Sequence, residues 1–105
     1  MNAQTRTIIA AGIAAICIVS GCESSSRGAR LIQQETCIDC HTIDGKGGAV
    51  GPNLSAVGGR RSRDYIVQQI KNPKAHNPNS EMPTFGDRLS QQDIDALADY
   101  LSKKK

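Results

Sequence analysis

Cys37-Ile38-Asp39-Cys40-His41, CIDCH in one-letter code, holds two of the four cysteines of a 105-residue chain, with a histidine directly after the second. Two cysteines at this spacing serve a disulfide switch, a tetrahedral zinc site or a covalently held haem. Each demands different surroundings, and the remaining hundred residues decide among them.

A thioredoxin-like pair belongs at a strand-to-helix junction, and no segment ahead of Cys37 reads as a convincing strand. Structural zinc takes four ligands. Cys37, Cys40 and His41 supply three, leaving His76 or a carboxylate for the fourth. A lone structural disulfide leaves His41 without a role. Covalent haem uses every residue. On a helical turn, positions i, i+3 and i+4 share a face, so both sulfurs reach vinyl groups on one porphyrin edge and His41 passes beneath the ring to the iron. Cys-x-x-Cys-His is the c-type attachment pattern, and attachment takes place on the exported side of a membrane.

The N-terminus supplies that export. Residues 8–19 are a run of twelve apolar or small residues behind a single charge, Arg6, and ahead of Ser20 and Gly21. Such a core fits the roughly 7–15 residues of a signal peptide and falls short of the roughly 20 of a spanning helix. Val19-Ser20-Gly21-Cys22 resembles the bacterial lipobox, whose cysteine is lipidated and becomes the new N-terminus. Residues 1–21 are therefore expected to be a lipoprotein signal, Cys22 the lipid anchor and residues 22–27 a short polar tether. The expected location is a bacterial membrane surface facing the periplasm or the cell exterior.

Removing residues 1–21, with Arg6, from the 105 leaves 84 residues with twelve basic and ten acidic side chains, a formal charge of +2. That balance lacks the basic patch that nucleic-acid binding requires. The basic tip Lys103-Lys104-Lys105 suits a solvated helix end. The remaining domain, 28–105, has three aromatic residues (Tyr65, Phe85, Tyr100) and no tryptophan. A domain this small and this poor in large apolar side chains needs a staple, a metal or a cofactor.

Helical periodicity is the dominant pattern. A first helix is expected over 28–40, with Leu31 and Ile32 inward. Residues 42–61, with six glycines and Pro52, form loop. A second helix fits 63–72, capped by Ser62 and stopped by Pro73. Another loop, 73–89, carries Pro73, Pro78 and Pro83. The last helix begins after Ser90, with Asp93 placed as in a capping box and Leu89 and Ile94 as a hydrophobic staple. The fold class is all-α, about three helices with long loops.

Haem iron has a second face to fill. Met82 and His76 both sit in the loop after the second helix, and Met82 is the expected ligand. A soft thioether suits iron held at positive potential, and Pro83 biases Met82 to extended backbone.

From Gly28 to the C-terminus the chain resembles the class I monohaem c-type cytochromes of small bacterial type. The matching pieces, GARLIQQETCIDCH, GPNLSAVGGR, YIVQQIKNP, MPTF and LSQQDIDALADYL, occur in that family's order and spacing. The resemblance implies a cytochrome c-like fold around one covalent haem c. It implies that the Pro52 carbonyl holds the His41 ring, Leu54 packs on the haem, and Arg60 and Tyr65 approach a propionate. It further implies that Gly28 crosses the last helix near Tyr100, and that Ile32 replaces a common aromatic with looser packing. The implied function is one-electron transfer between respiratory redox proteins, with no substrate site and no enzymatic activity. Two alternatives remain open: a gas sensor or peroxidase-like protein with a labile Met82, and a haem-bearing subunit of a larger complex. Lys46, Arg60 and Arg61 could guide an acidic partner, although Asp39 and Asp44 lie close by.

Overall fold

The computed structural model describes residues 20–105, with side chains from residue 26. Residues 1–19 of the expected signal peptide (1–21) and the side chain of Cys22 lie outside the described residues. Within them, no helix is long and apolar enough to cross a membrane. Three helices dominate: α1 Ser20–Gln34, α2 Arg63–Lys71 and α3 Gln91–Ser102. Between α1 and α2 lies a two-stranded antiparallel ladder, β1 Thr42–Ile43 with β2 Lys46–Gly47.

The strongest local signals in the sequence produce the two C-terminal helices. The hydroxyl of Ser62 accepts the Tyr65 backbone N–H at 3.1 Å and starts α2. The hydroxyl of Ser90 accepts the Asp93 N–H at 3.1 Å and starts α3. Each cap satisfies a donor that the first helical turn leaves orphaned. The Asp93 carboxylate pairs with Arg27 of α1 at 2.9 Å, so the first turn of α3 is also fastened to α1. Pro73 ends α2 and opens a 3-10 turn over Pro73–Ala75. The carbonyls of Ile70 and Lys71, left over at the end of α2, accept the N–H groups of Phe85 (3.1 Å) and Gly86 (3.2 Å). That bonding pins the loop just after Met82 to the end of α2.

α1 differs from the expected 28–40 at both ends. It reaches back to Ser20, so residues 23–27, read as a tether, continue the helix. It stops at Gln34, because Thr36 takes the left-handed conformation, φ 56°. The CIDCH segment is therefore a separate 3-10 turn, Cys37–Asp39, set at an angle to the helix by one unusual residue. The β1–β2 ladder, absent from the sequence reading, follows from Asp44-Gly45. Both residues have positive φ (53° and 83°) and link Ile43 to its partner Lys46, the conformation a two-residue hairpin turn requires.

The core forms where α1 and α3 cross, with α2 packed on α3. Leu31 and Ile32 from α1, Ile66 and Ile70 from α2, and Ile94, Leu97 and Leu101 from α3 are buried, joined by Phe85. Each such aliphatic side chain contributes about 1.5–3 kcal/mol when fully buried. Ile94 is buried and Leu89 packs against the same cluster, as the staple pattern predicts. Ile32, where looser packing was expected, is 3 % exposed.

Candidate functional site

The site is built on the turn between α1 and β1. Cys37, Cys40 and His41 occupy a single turn in which the N–H of His41 donates to the Cys37 carbonyl at 2.9 Å, the i to i+4 geometry of an α-turn. The following loop is laced onto this turn. Gly48 N–H donates to Ile38 C=O at 2.8 Å, and Gly51 N–H to Cys40 C=O at 2.7 Å. Gly51 lies against the imidazole itself. A Cβ built there would sit 2.5 Å from His41 Cε1 and 2.8 Å from Nδ1, so only glycine lets the loop close over the ring.

His41 is fixed electronically as well as sterically. Its Nδ1 stands 2.7 Å from the Pro52 carbonyl oxygen. A carbonyl only accepts, so Nδ1 carries the proton and the Nε2 lone pair remains on the opposite edge of the ring. This tautomer suits a metal-ligating histidine.

The two cysteines differ. Cys40 is exposed and Cys37 half-buried, and no disulfide joins them. Burial, with the nearby charge of Glu35 adding to it, pushes the Cys37 thiol up to about 11. Such a thiol is a poor nucleophile at neutral pH, unlike the activated thiolate of a redox pair. Nor does a zinc site form: among the described residues no three His, Cys, Asp or Glu side chains converge to hold a metal ion.

The turn opens onto a cleft of ≈ 390 Å³, within the roughly 300–1,000 Å³ of cofactor sites. His41, Pro52, Leu54, Gln69, His76 and Met82 are among its lining residues. Beside it lies an apolar recess of ≈ 30 Å³ lined by Ile32, Cys37, Phe85 and Leu97, and shared by His41 and Met82. Arg60, Arg61 and Tyr65 also line the cleft. Arg60 donates from Nη2 to the Asn53 carbonyl at 2.7 Å, and Arg61 stands with Cζ 4.4 Å above the centre of the Tyr65 ring.

A family model for cytochrome c matches residues 25–105. The chain belongs to the cytochrome c family. It is 33% identical over 82 residues to cytochrome c-551 of Bacillus subtilis, covering 78% of this chain and 65% of that protein. It is 34% identical over 100 residues to cytochrome c of Theileria parva, covering 75% of this chain and 84% of the other. A 27% identity over 89 residues links it to cytochrome c oxidase subunit 2 of Alkalihalophilus pseudofirmus. That match covers 77% of this chain and only 26% of the oxidase subunit.

Membership in the cytochrome c family carries with it a covalently bound haem c and an electron-carrier role rather than an enzymatic one. The residues present fit that group. Cys37 and Cys40 fit the CXXCH attachment motif, with Cys37 at the apolar recess, His41 keeps Nε2 on the ring edge opposite its bond to Pro52, and the wider cleft carries cationic side chains suited to propionates. Of the candidate residues read from the sequence, His41, Pro52, Leu54, Arg60, Tyr65, His76 and Met82 line the cleft, Cys37 lines the recess beside it, and Cys40 lines neither. The sequence reading missed Gln69, whose amide Nε2 lies 3.6 Å from Met82 Sδ and whose Oε1 lies 2.7 Å from His76 Nδ1. Its position four residues after Tyr65 on one helix face was the available clue.

Proposed function

We propose that this cytochrome c is a lipid-tethered one-electron carrier working between respiratory redox proteins on the exported side of a bacterial membrane, with Cys37 and Cys40 holding the haem and His41 and Met82 its axial ligands. The observation that carries the reading is the His41–Pro52 hydrogen bond in a cleft that Met82 also lines. When bound, haem c supplies a one-electron couple.

The protein residues do the rest. Pro52 holds the His41 ring in its donating tautomer and orientation. Met82 lines the same cleft, and the nearby segment Phe85–Gly86 is pinned to the end of α2 by backbone bonds, which limits how far its flexible stem can wander. Leu54 and the apolar recess exclude water, so a change of charge needs little reorganisation. Arg60 and Tyr65 are suited to receive a propionate at the polar part of the cleft. If His41 and Met82 both hold the iron, no open coordination site would be left for substrate, which would argue against the gas-sensor and peroxidase-like alternatives. Similarity to one region of an oxidase subunit supports a respiratory redox partner, and it equally suits a haem-bearing subunit within a larger complex. Tethering through Cys22 rests on the lipobox pattern.

The test is an optical spectrum, oxidised and reduced, of protein matured in a host that attaches c-type haem. Covalent haem with the long-wavelength methionine–iron band and no response to carbon monoxide is expected. Carbon monoxide binding by the reduced wild-type protein would move the function toward sensing or catalysis. Radiolabelled palmitate incorporation that disappears in Cys22→Ser is the expected mark of the anchor.

A further inference from the structure

His76 has so far been only the rejected candidate for the iron. Its surroundings give it a different task. The 3-10 turn Pro73–Ala75 folds the chain back after α2, and this brings the His76 ring flat against Tyr65. The ring centroids are 4.0 Å apart and the planes 4° from parallel. Arg61 lies 4.4 Å from the centre of the same Tyr65 ring, a cation–π contact that holds the tyrosine in place. With its plane fixed, His76 Nδ1 stands 2.7 Å from Gln69 Oε1. Gln69 Nε2 stands 3.6 Å from Met82 Sδ.

With Gln69 Oε1 toward His76 Nδ1 and Nε2 toward Met82 Sδ, the donors follow. The Gln69 carboxamide oxygen only accepts, so His76 Nδ1 carries the proton. That bond leaves the Gln69 NH2 group facing the sulfur. Were the amide turned over, its oxygen would meet the sulfur lone pairs, and its NH2 would meet the N–H of His76. In its Nδ1–H tautomer the histidine therefore holds the amide with a donor pointing at Met82.

We propose that His76 is a positioning residue for the Met82 thioether, acting through Gln69, and that the Tyr65–His76–Gln69 chain sets both the reduction potential and the lability of the sixth ligand. The proposal rests on Met82 being that ligand. An N–H directed at sulfur withdraws electron density that would otherwise be donated to iron. The oxidised iron depends more on that donation, so the contact favours reduction, and hydrogen bonding around a haem ligand is a recognised control of potential. The same contact holds the methionine, an unbranched side chain with three rotatable bonds, in one rotamer.

The experiment uses the holoprotein and three variants: Gln69→Leu, His76→Phe and the double substitution. Phenylalanine keeps a flat ring to stack on Tyr65 and removes only the Nδ1 donor, and His76 is exposed, so the core is not disturbed. Both single variants are expected to lower the midpoint potential in an optical redox titration. Both are expected to speed cyanide binding to the oxidised protein about fivefold, the size of one ordinary neutral hydrogen bond. The double variant is expected to fall no further than Gln69→Leu alone, because both substitutions break one chain. A wild-type potential and cyanide rate in His76→Phe, or additive effects in the double variant, overturns the proposal. Met82→Ala separates this from the ligand assignment. Persistence of the methionine–iron band in that variant overturns the ligand reading and this proposal together. Loss of the band, with His76→Phe unchanged, overturns this proposal alone.

Discussion

Gly28 of α1 faces Ala96 of α3 with no room for a methyl group between them: a Cβ at Gly28 would lie 2.5 Å from the Ala96 carbonyl oxygen and 2.5 Å from Tyr100 Cβ. The crossing of the two helices is set by this contact, and the buried cluster of Leu31, Ile32, Ile94 and Leu97 forms around it. Gly28→Ala would favour the isolated helix by about 1 kcal/mol through propensity. It also drives two backbones apart, and overpacking of this kind costs about 1–3 kcal/mol. The net expectation is a destabilised holoprotein, read as a lower urea midpoint with an unchanged optical spectrum. A variant as stable as wild type would show that the crossing adjusts freely.

The pattern of what could be read in advance follows from how local each cause is. Ser62 and Ser90 act on N–H groups three residues away, so both caps, and with them α2 and α3, are written in short segments. The His41–Pro52 contact spans eleven residues and was accessible only through the resemblance. The break after Gln34 was not legible, because it depends on Thr36 adopting a conformation its side chain disfavours. Asp44-Gly45 is the reverse case. The turn signal was present, but two-residue strands are too short to leave an alternating pattern. The Gln69–His76 contact depends on the turn after Pro73, and nothing in the spacing of those two residues forecasts it.

Gly51→Ala tests the packing of the loop over His41. The added methyl would meet the imidazole at Cε1, Nδ1 and, at 3.1 Å, Nε2. To admit it, the ring must turn or the loop must lift, and either strains the 2.7 Å bond to Pro52. The expected outcome is a lower yield of matured holoprotein and, in what matures, a shifted midpoint potential. Gly48→Ala, which would strike the Asp39 backbone instead, separates general loop damage from an effect on the ring.

Lys104 and Asp44 join the C-terminus to the β1–β2 turn through a short ion pair. Hydrogen bonding to Asp44, against a smaller cost of desolvation, raises the Lys104 pKa above its ordinary value. The folded state therefore binds this proton more tightly than the unfolded state. The stability it contributes is fully present below the ordinary lysine value of about 10.4 and is lost as pH rises through the folded value. The pair is partly solvated, so its worth is at most about 1 kcal/mol. Lys104→Met is expected to lower stability by that amount or less at pH 7. The difference from wild type should shrink above about pH 10.4, measured by urea unfolding at low salt. A difference independent of pH would show that neither the Asp44 pair nor the ammonium's contact with the Tyr100 ring carries the effect.

Met82 is the side chain on which the carrier reading turns, and its removal gives the largest expected change. It shares the apolar recess with His41 and Cys37 and accepts the Gln69 contact at its sulfur. Met82→Ala keeps the Cys37 and Cys40 attachment points and the His41–Pro52 bond, so covalent haem should still be incorporated. The methionine–iron band should vanish, and the reduced protein should now bind carbon monoxide. The midpoint potential should fall, because a soft thioether favours the reduced iron. His76 lines the same cleft, and its stack on Tyr65 and bond to Gln69 oppose its moving to the iron. The double variant Met82→Ala with His76→Phe should therefore bind carbon monoxide no more tightly than Met82→Ala alone. Tighter binding in the double variant would show that His76 reaches the iron when the methionine is gone.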